Sequence, residues 1–445
     1  MILFTGNNDQ TFARQPTFST SLQAMKVFKF GGASVSTAER IKNVGEILKT
    51  YSNEKLLVVI SAMGKTTNAL EKVVEAFYNG EQQKALELFQ KIKEDHLSIV
   101  KELSCQPEPA EGHHSLIDFF TEVEWLLHDK PVRNFDYYYD QVVCVGELLS
   151  TAVVSDYLNN AGVANEWVDV RDIIRTDDNF RDAKIDWDFT TKRVEESILP
   201  LFKQNNIVLT QGFIGATDEN ESTTLGREGS DYSAAVFANI LDAENQTIWK
   251  DVHGVMNADP KEYANAQWIK ELNYQEVIEM AYYGAQVIHP KTIKPLQNKN
   301  IPLYVRSFIN PEEEGTCIQS KNFNHLPPII VYKQNQVLIE LKSKDFSFVG
   351  EGLTAEVYKI FQSIKFKPNL IQSAAISLLC VVDDYSHKVE EFALKASDVF
   401  DVTVSKDLIL LTIRHYNEEI LAELIGSRQV VLRQQTPETI QVLMK

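Results

Sequence analysis

The chain has 445 residues, 44% apolar, 10% aromatic and 24% charged, with a net charge of −18. That length and core material suit two to four domains, while the acidic balance excludes a general nucleic-acid or anionic-membrane binder, which would present a basic face. No apolar run approaches the roughly 20 residues of a membrane-spanning helix. The four cysteines, at 105, 144, 317 and 380, lack C-x-x-C spacing, and the nine histidines contain no H-E-x-x-H. The thiols read as buried or incidental residues of a reducing compartment, hence a cytoplasmic expectation. His113-His114 reads as a solvated loop pair.

Residues 1–24 are polar and lack the apolar segment of a signal peptide. They read as a disordered extension or a start placed too early, since Met25 directly precedes the first strand; Arg14 and scattered Ser/Thr leave room for a transit peptide. From Lys26 strands alternate with helices. Lys26–Phe30 is a short strand broken by Gly31-Gly32, and Thr37–Lys49 places Ile41, Val44, Ile47 and Leu48 at helical spacing. Leu56–Ile60 is a fully apolar strand, residues 83–160 are largely helical around a loop at Pro107–His114, and Ile207–Leu209, Thr247–Trp249 and Leu303–Val305 are further strands. This alternation predicts an α/β fold, a three-layer mostly parallel sheet with helices on both faces. Composition shifts at 310–328, so residues 25–315 form the expected first domain and 316–445 the second. In the second, Val337–Leu341, Ala375–Val382, Val402–Ser405, Leu408–Ile413 and Ile440–Met444 read as strands. The helical faces at 353–364, 389–396 and 418–425 complete two rounds of a small α+β unit.

Three segments carry chemistry. Lys29-Phe30-Gly31-Gly32 ends a strand with two glycines that let backbone N–H groups approach a phosphate and a lysine to neutralise it; an ordinary Gly turn fits equally. Gly212-Phe213-Ile214-Gly215, followed by Thr223–Asp231, leads into a helix that Ser230 or Asp231 can cap. A Gly-rich turn there suits an anion, and Arg227 adds a fork for carboxylate or phosphate. Glu147 has Val143, Cys144, Ser150 and Thr151 as its helical neighbours. It is either a partly exposed side chain or a costly buried carboxylate that wants a cationic ligand group.

Lys29–Gly32, Ser61-Ala62-Met63-Gly64, Gly146–Thr151, Gly212–Gly215 with Leu225–Asp231, Trp249–Pro260 and Gly284–Pro290 occur in the order seen in aspartate kinases. The resemblance runs from about Lys26 to Phe308, and the tail resembles that family's paired, ferredoxin-like ACT regulatory domains. It implies transfer of the ATP γ-phosphoryl to the β-carboxylate of L-aspartate, with Mg²⁺ held mainly by phosphate oxygens and water. It also implies assembly as a homodimer or larger through the ACT units. No general base is needed, because a carboxylate is ionised at neutral pH.

By the same resemblance Lys29 contacts the transferred phosphoryl group, with Gly31 and Gly32 as backbone donors. Arg227 clamps the α-carboxylate and Glu147 the α-ammonium, while Ser61 and Thr67 flank substrate or phosphates. Ser230 and Asp231 bridge the two subsites. Lys250, Asp251, Met256, Asp259 and Lys261, with Gln286, belong to the nucleotide segment. Asp345, Phe346 and Ser347, with Asn369 and Leu370, match the effector region, where lysine or threonine is the expected inhibitor; Asp345 also suits an ordinary turn carboxylate. The chain departs from the family pattern at Glu228 (commonly Gly), His253 (Pro), Met256 (Tyr), Gln286 (a phosphate-reaching Lys) and Asn369 (Asp). Two other readings stand beside this one. One is an inactive amino-acid-sensing regulator. The other is a related kinase acting on glutamate, acetylglutamate or a nucleotide.

Overall fold

Strand β1 (Met25–Phe30) lies in parallel between β2 (Lys55–Ile60) and a later strand, and that pairing sets the first domain. The computed structural model describes residues 24–103, 114–323, 325–345 and 347–445. After β3 (Asn165–Val168) and β4 (Ile207–Gln211) comes a hairpin of β5 (Ile214–Ala216) and β6 (Ser222–Thr224), then β7 (Asn245–Lys250), β8 (Glu271–Asn273), β9 (Leu303–Ser307) and β10 (Thr316–Gln319). Apart from the hairpin these form one sheet in the order β3-β4-β2-β1-β7-β9-β10-β8, parallel except between β9 and β10. Leu56 to Ile60 are each 0% exposed, the signature of a strand covered by helices on both faces. The change of sheet falls after Gln319, so the expected boundary at 315 moves past β10.

The helix Val145–Asn160 is buried on every side through Ser155, because small and apolar residues leave it no solvent face. It explains how one helical run, Phe135–Asn160, has the length and apolarity to cross a membrane: 83% of its most apolar window is packed inside the protein. Cys144 and Cys380 are buried free thiols; Cys105, His113 and most of the 107–114 loop lie outside the described residues.

The second domain is a single six-stranded sheet. Its strands are β11 (Ile329–Ser343), β12 (Pro368–Ser373), β13 (Ser377–Asp383), β14 (Phe400–Arg414), β15 (Val430–Gln435) and β16 (Thr439–Met444), in the order β12-β13-β11-β14-β16-β15. The two expected repeats are fused through β11 and β14, each 15 residues long. Val402–Ser405 and Leu408–Ile413 are therefore one strand, bent where Asn335 and Asp407 take left-handed φ values of 54° and 58°. The first repeat uses Leu338–Ser343 of β11, and the second uses Ile329–Lys333 of the same strand.

The domains meet at the helix Tyr274–Tyr283. Arg414, at the end of β14, donates Nε to Glu276 Oε2 at 2.8 Å and Nη2 to Glu276 Oε1 at 2.7 Å, and its Nη1 donates to Thr439 Oγ1 at 2.8 Å. Burial pushes the Glu276 carboxyl up, but the bonds from Arg414 and His415 outweigh it and bring it down to about 2. Ile330 N also donates to Asn257 O at 2.7 Å, tying β11 to the loop after β7.

Candidate active site

The C-terminal ends of β1, β2 and β4 open into one cavity of about 440 Å³, the place where parallel sheets bind ligands. Lys29, near the end of β1, sends Nζ to within 2.6 Å of Asp231 Oδ1, and both side chains are buried. Burial pushes the Asp231 carboxyl up, yet the Lys29 and Lys250 ammoniums overcome it and hold it below the usual carboxylate range. Asp231 stands in the first turn of the helix Gly229–Ile240, so it faces Lys29 from the opposite wall. Two glycines make the approach possible: a Cβ on Gly32 would lie 2.5 Å from Ala62 O, and one on Gly212 would lie 2.7 Å from Ser230 Cα.

Glu147 enters the same cavity from the first turn of the buried helix Val145–Asn160. It is 3% exposed and its Oε2 has no hydrogen-bond partner. Burial pushes its pKa up to about 8, against the pull of the Ala62 backbone and Lys29. An unpaired buried carboxylate is costly, so without a cationic partner the fold favours the neutral acid. Across from it Arg227 is exposed and makes no ion pair among the described residues. A buried carboxyl with an unbonded oxygen and a guanidinium without an ion pair among the described residues are complementary to the α-ammonium and α-carboxylate of a free amino acid.

Ser61, Thr67 and Ser230 line this cavity with Lys29, Gly32, Glu147, Arg227 and Asp231, while Gly31 adjoins it, its notional Cβ 3.5 Å from Lys29 Nζ. Glu228, in a left-handed conformation at φ 54°, turns Oε2 to accept from His289 N at 2.7 Å, which occupies the extra carboxylate. The sequence reading missed Tyr139 and Arg181 as lining residues, and gave Phe213 and Thr224, both inside segments it singled out, no site role of their own. Tyr139 and Arg181 lie outside any glycine-marked turn, so the letters carried no signal. Phe213 lies inside the quoted Gly212–Gly215 run, and its φ of 72° marks it in the structure.

A second cavity of about 490 Å³ collects Lys250, Met256, Asp259, Lys261 and Gln286, with Ile330 to Tyr332 of β11 in its wall. Lys250 Nζ donates to Val287 O at 2.8 Å, and its influence on Asp231 links the two cavities. Asp251 is exposed and lines neither of them. Among the described residues no cluster of three or more His, Cys, Asp or Glu side chains could hold a metal ion.

The effector residues do not come together within the chain. Asp345 follows β11 and accepts from Ser343 Oγ at 2.7 Å and Ser347 N at 3.0 Å; the Ser347 hydroxyl, then these two donors, hold its carboxyl well below the usual range. Asn369 lies towards the other end of that part of the sheet, beside Gln336 and Asp383. It donates to both, at 2.8 and 2.9 Å, and accepts from Lys333 Nζ at 2.6 Å, so its amide is already engaged. Leu370 lines a surface cleft with Asn369, Tyr282 and Tyr283, and Phe346 lies outside the described residues.

A mostly parallel sheet with cavities at its strand ends, one of them holding a buried lysine–aspartate pair, defines the class as an α/β protein with a small-molecule site. Residues 24–307 match the sequence model of the amino acid kinase family. The chain is 32% identical over 360 residues to lysine-sensitive aspartokinase 3 of Escherichia coli K12, covering 80% of this chain and 78% of that protein. It is 32% identical over 382 residues to the chloroplastic aspartokinase 1 of Arabidopsis thaliana, of whose length it spans 63%. E. coli aspartokinase III in complex with aspartate and ADP superposes with a TM-score of 0.79 at 27% identity, over 94% of this chain and 96% of that one. The chain belongs to the amino acid kinase family, in its aspartokinase branch.

Proposed function

We propose that this protein transfers the γ-phosphoryl of ATP to the β-carboxylate of L-aspartate, giving 4-phospho-L-aspartate and ADP, the first step towards lysine, threonine and methionine. The observation that carries the reading is Glu147, a buried carboxylate with a free oxygen facing a cavity that also presents Arg227 and Lys29. The substrate ammonium satisfies Glu147, its α-carboxylate meets Arg227, and the β-carboxylate is left pointing at Lys29. A β-carboxylate oxygen then bonds to the γ-phosphorus as the bond to the β,γ-bridging oxygen breaks and ADP leaves. No proton moves, so the protein's task is to bring two anions together. Lys29 neutralises the charge on the transferred group, and Asp231 holds that ammonium in place.

Lys250 and Lys261 are the cations on the wall of the second cavity and offset the neutral Gln286 there; this is the ATP subsite. Mg²⁺ supplies charge neutralisation from the nucleotide phosphates when bound. The second domain is a regulatory region for lysine or threonine. Its loop at Ser343–Ser347 and its strand at Asn369–Leu370 are united only across two copies, hence a homodimer or larger. Support comes from the E. coli aspartokinase III structure with lysine and aspartate, which matches with a TM-score of 0.76 at 27% identity.

A coupled ADP-release assay with L-aspartate, L-glutamate and N-acetyl-L-glutamate tests the reading. Turnover with L-aspartate alone is expected. Preference for either glutamate compound moves the assignment to a related kinase, and no turnover with any of them makes the chain an amino-acid sensor.

A further inference from the structure

Arg181 combines strain with position. It holds φ at 70°, a conformation that side chains with a Cβ rarely adopt. Its backbone N–H is fixed there by Asp140 Oδ2 at 3.0 Å. Asp140 is 0% exposed and also accepts from Thr224 N at 2.8 Å and Thr224 Oγ1 at 2.7 Å. The buried carboxylate therefore welds the Arg181 turn to the strand leading into Leu225–Arg227. The two turns abut: a Cβ on Gly226 would lie 2.8 Å from Asp182 Oδ1 and 3.2 Å from Arg181 O. Lys291 Nζ bridges them from outside, donating to Asp182 Oδ1 at 3.0 Å and Leu225 O at 2.9 Å.

The consequence is a second guanidinium on the rim of the cavity that holds Glu147 and Arg227. It stacks 4.4 Å from the Tyr139 ring centroid, with Nη1 on Asp136 Oδ1 at 3.0 Å. Its side chain is 47% exposed, so it is not part of a core. Backbone strain that is held by a buried carboxylate and delivers a cation to a ligand cavity points to a task for that cation.

We propose that Arg181 is a substrate-binding, specificity-determining residue that meets the α-carboxylate of the amino-acid substrate together with Arg227. Tyr139 serves as the platform for the guanidinium, and Asp140 is a positioning residue that acts through the Arg181 backbone. The inference rests on the aspartate-kinase reading, so the parent protein is assayed alongside each variant.

The decisive variant is Arg181→Gly, because glycine accepts the positive φ without strain. It should raise KM for aspartate about three- to tenfold, the range between an exposed ion pair and a charge-assisted bond. The kcat and the KM for ATP should stay within about twofold, and Tm should hold or rise as strain is released. Arg181→Lys should recover part of the lost affinity. L-aspartic acid α-amide keeps the β-carboxylate and lacks the α-charge, so with it Arg181→Gly and the parent should behave alike. An unchanged KM for aspartate in Arg181→Gly, or an equal loss with the α-amide, overturns the inference while leaving the kinase reading in place. A parent with no aspartate turnover removes both.

Discussion

The candidate site and the domain seam both place a buried carboxylate opposite a buried cation, but the seam carboxylate has both oxygens bonded while the candidate site keeps one that is not. At the seam, Glu276 receives two bonds from Arg414, whose remaining nitrogen is taken by Thr439. In the cleft, Lys29 and Asp231 pair, yet Glu147 keeps a free buried oxygen and Arg227 has no ion pair among the described residues. The same side-chain chemistry thus holds two domains together at one place and waits for a ligand at the other. The difference lies in whether the protein itself supplies every partner.

The largest test of that contrast is at the seam. Arg414→Ala strands Glu276 in a buried site, and breaking such a pair costs about 3–5 kcal/mol. Chemical denaturation should register this as a loss of stability; a loss below about 1 kcal/mol would mean that the pair is ornamental. Glu276 is held at about 2 in the fold, against roughly 4.3 unfolded. Its contribution is therefore full above about pH 4.5 and lost as pH falls through 2, so the parent should lose the advantage over Glu276→Gln at low pH.

Lys29→Ala removes the cation facing the transferred phosphoryl group and should lower kcat about 10²–10³-fold, with circular dichroism unchanged. Near-normal turnover in the folded variant would falsify its role. Next in size is Arg227→Ala, which should weaken aspartate binding by about 1.5–3 kcal/mol and leave ATP binding alone. Calorimetric titration with each ligand checks this, and the reverse pattern would exchange the two subsites.

Glu147 sharpens the comparison in the opposite direction. Its folded pKa of about 8 lies above its unfolded value, so the protonated form is favoured in the fold. The stabilisation is full below about pH 4.3 and is lost as pH rises towards 8 in the ligand-free protein. Glu147→Gln should therefore raise Tm at pH 8 without substrate while weakening aspartate binding; a lower Tm there would show that the carboxylate already has a partner. The smallest effect is expected in the tail. Asp345→Ala or Ser347→Ala should relieve inhibition by lysine or threonine without changing the KM for ATP. No response of the parent to either amino acid would leave the tail with an assembly role.

Local signals carried the reading of the first domain. The apolar run Leu56–Ile60 is a strand buried on both faces, and the glycines at 32 and 212 mark backbone approaches that a Cβ would block. Glu147 was legible because its helical neighbours offered no solvent face. Shorter elements such as β8 and β10 were missed, since three or four residues carry too little periodicity to stand out. The fused strand β14 was read as two pieces and β11 only over Val337–Leu341, because the bends at Asn335 and Asp407 interrupt the alternation while the hydrogen-bonded ladder continues on either side.

The sequence by itself determined the alternating α/β plan, the positions of the glycine turns and the set of charged residues Lys29, Glu147, Arg227 and Asp231. These follow from periodicity and residue chemistry, which act over a few neighbours. Tertiary structure alone decided which charges meet. It paired Arg414 with Glu276 across 138 residues and set Arg181 on the rim of the cleft. It also engaged the Asn369 amide within the sheet and kept it away from Asp345. Such contacts are fixed by strand register and domain docking, and neither is written in any local stretch of the chain.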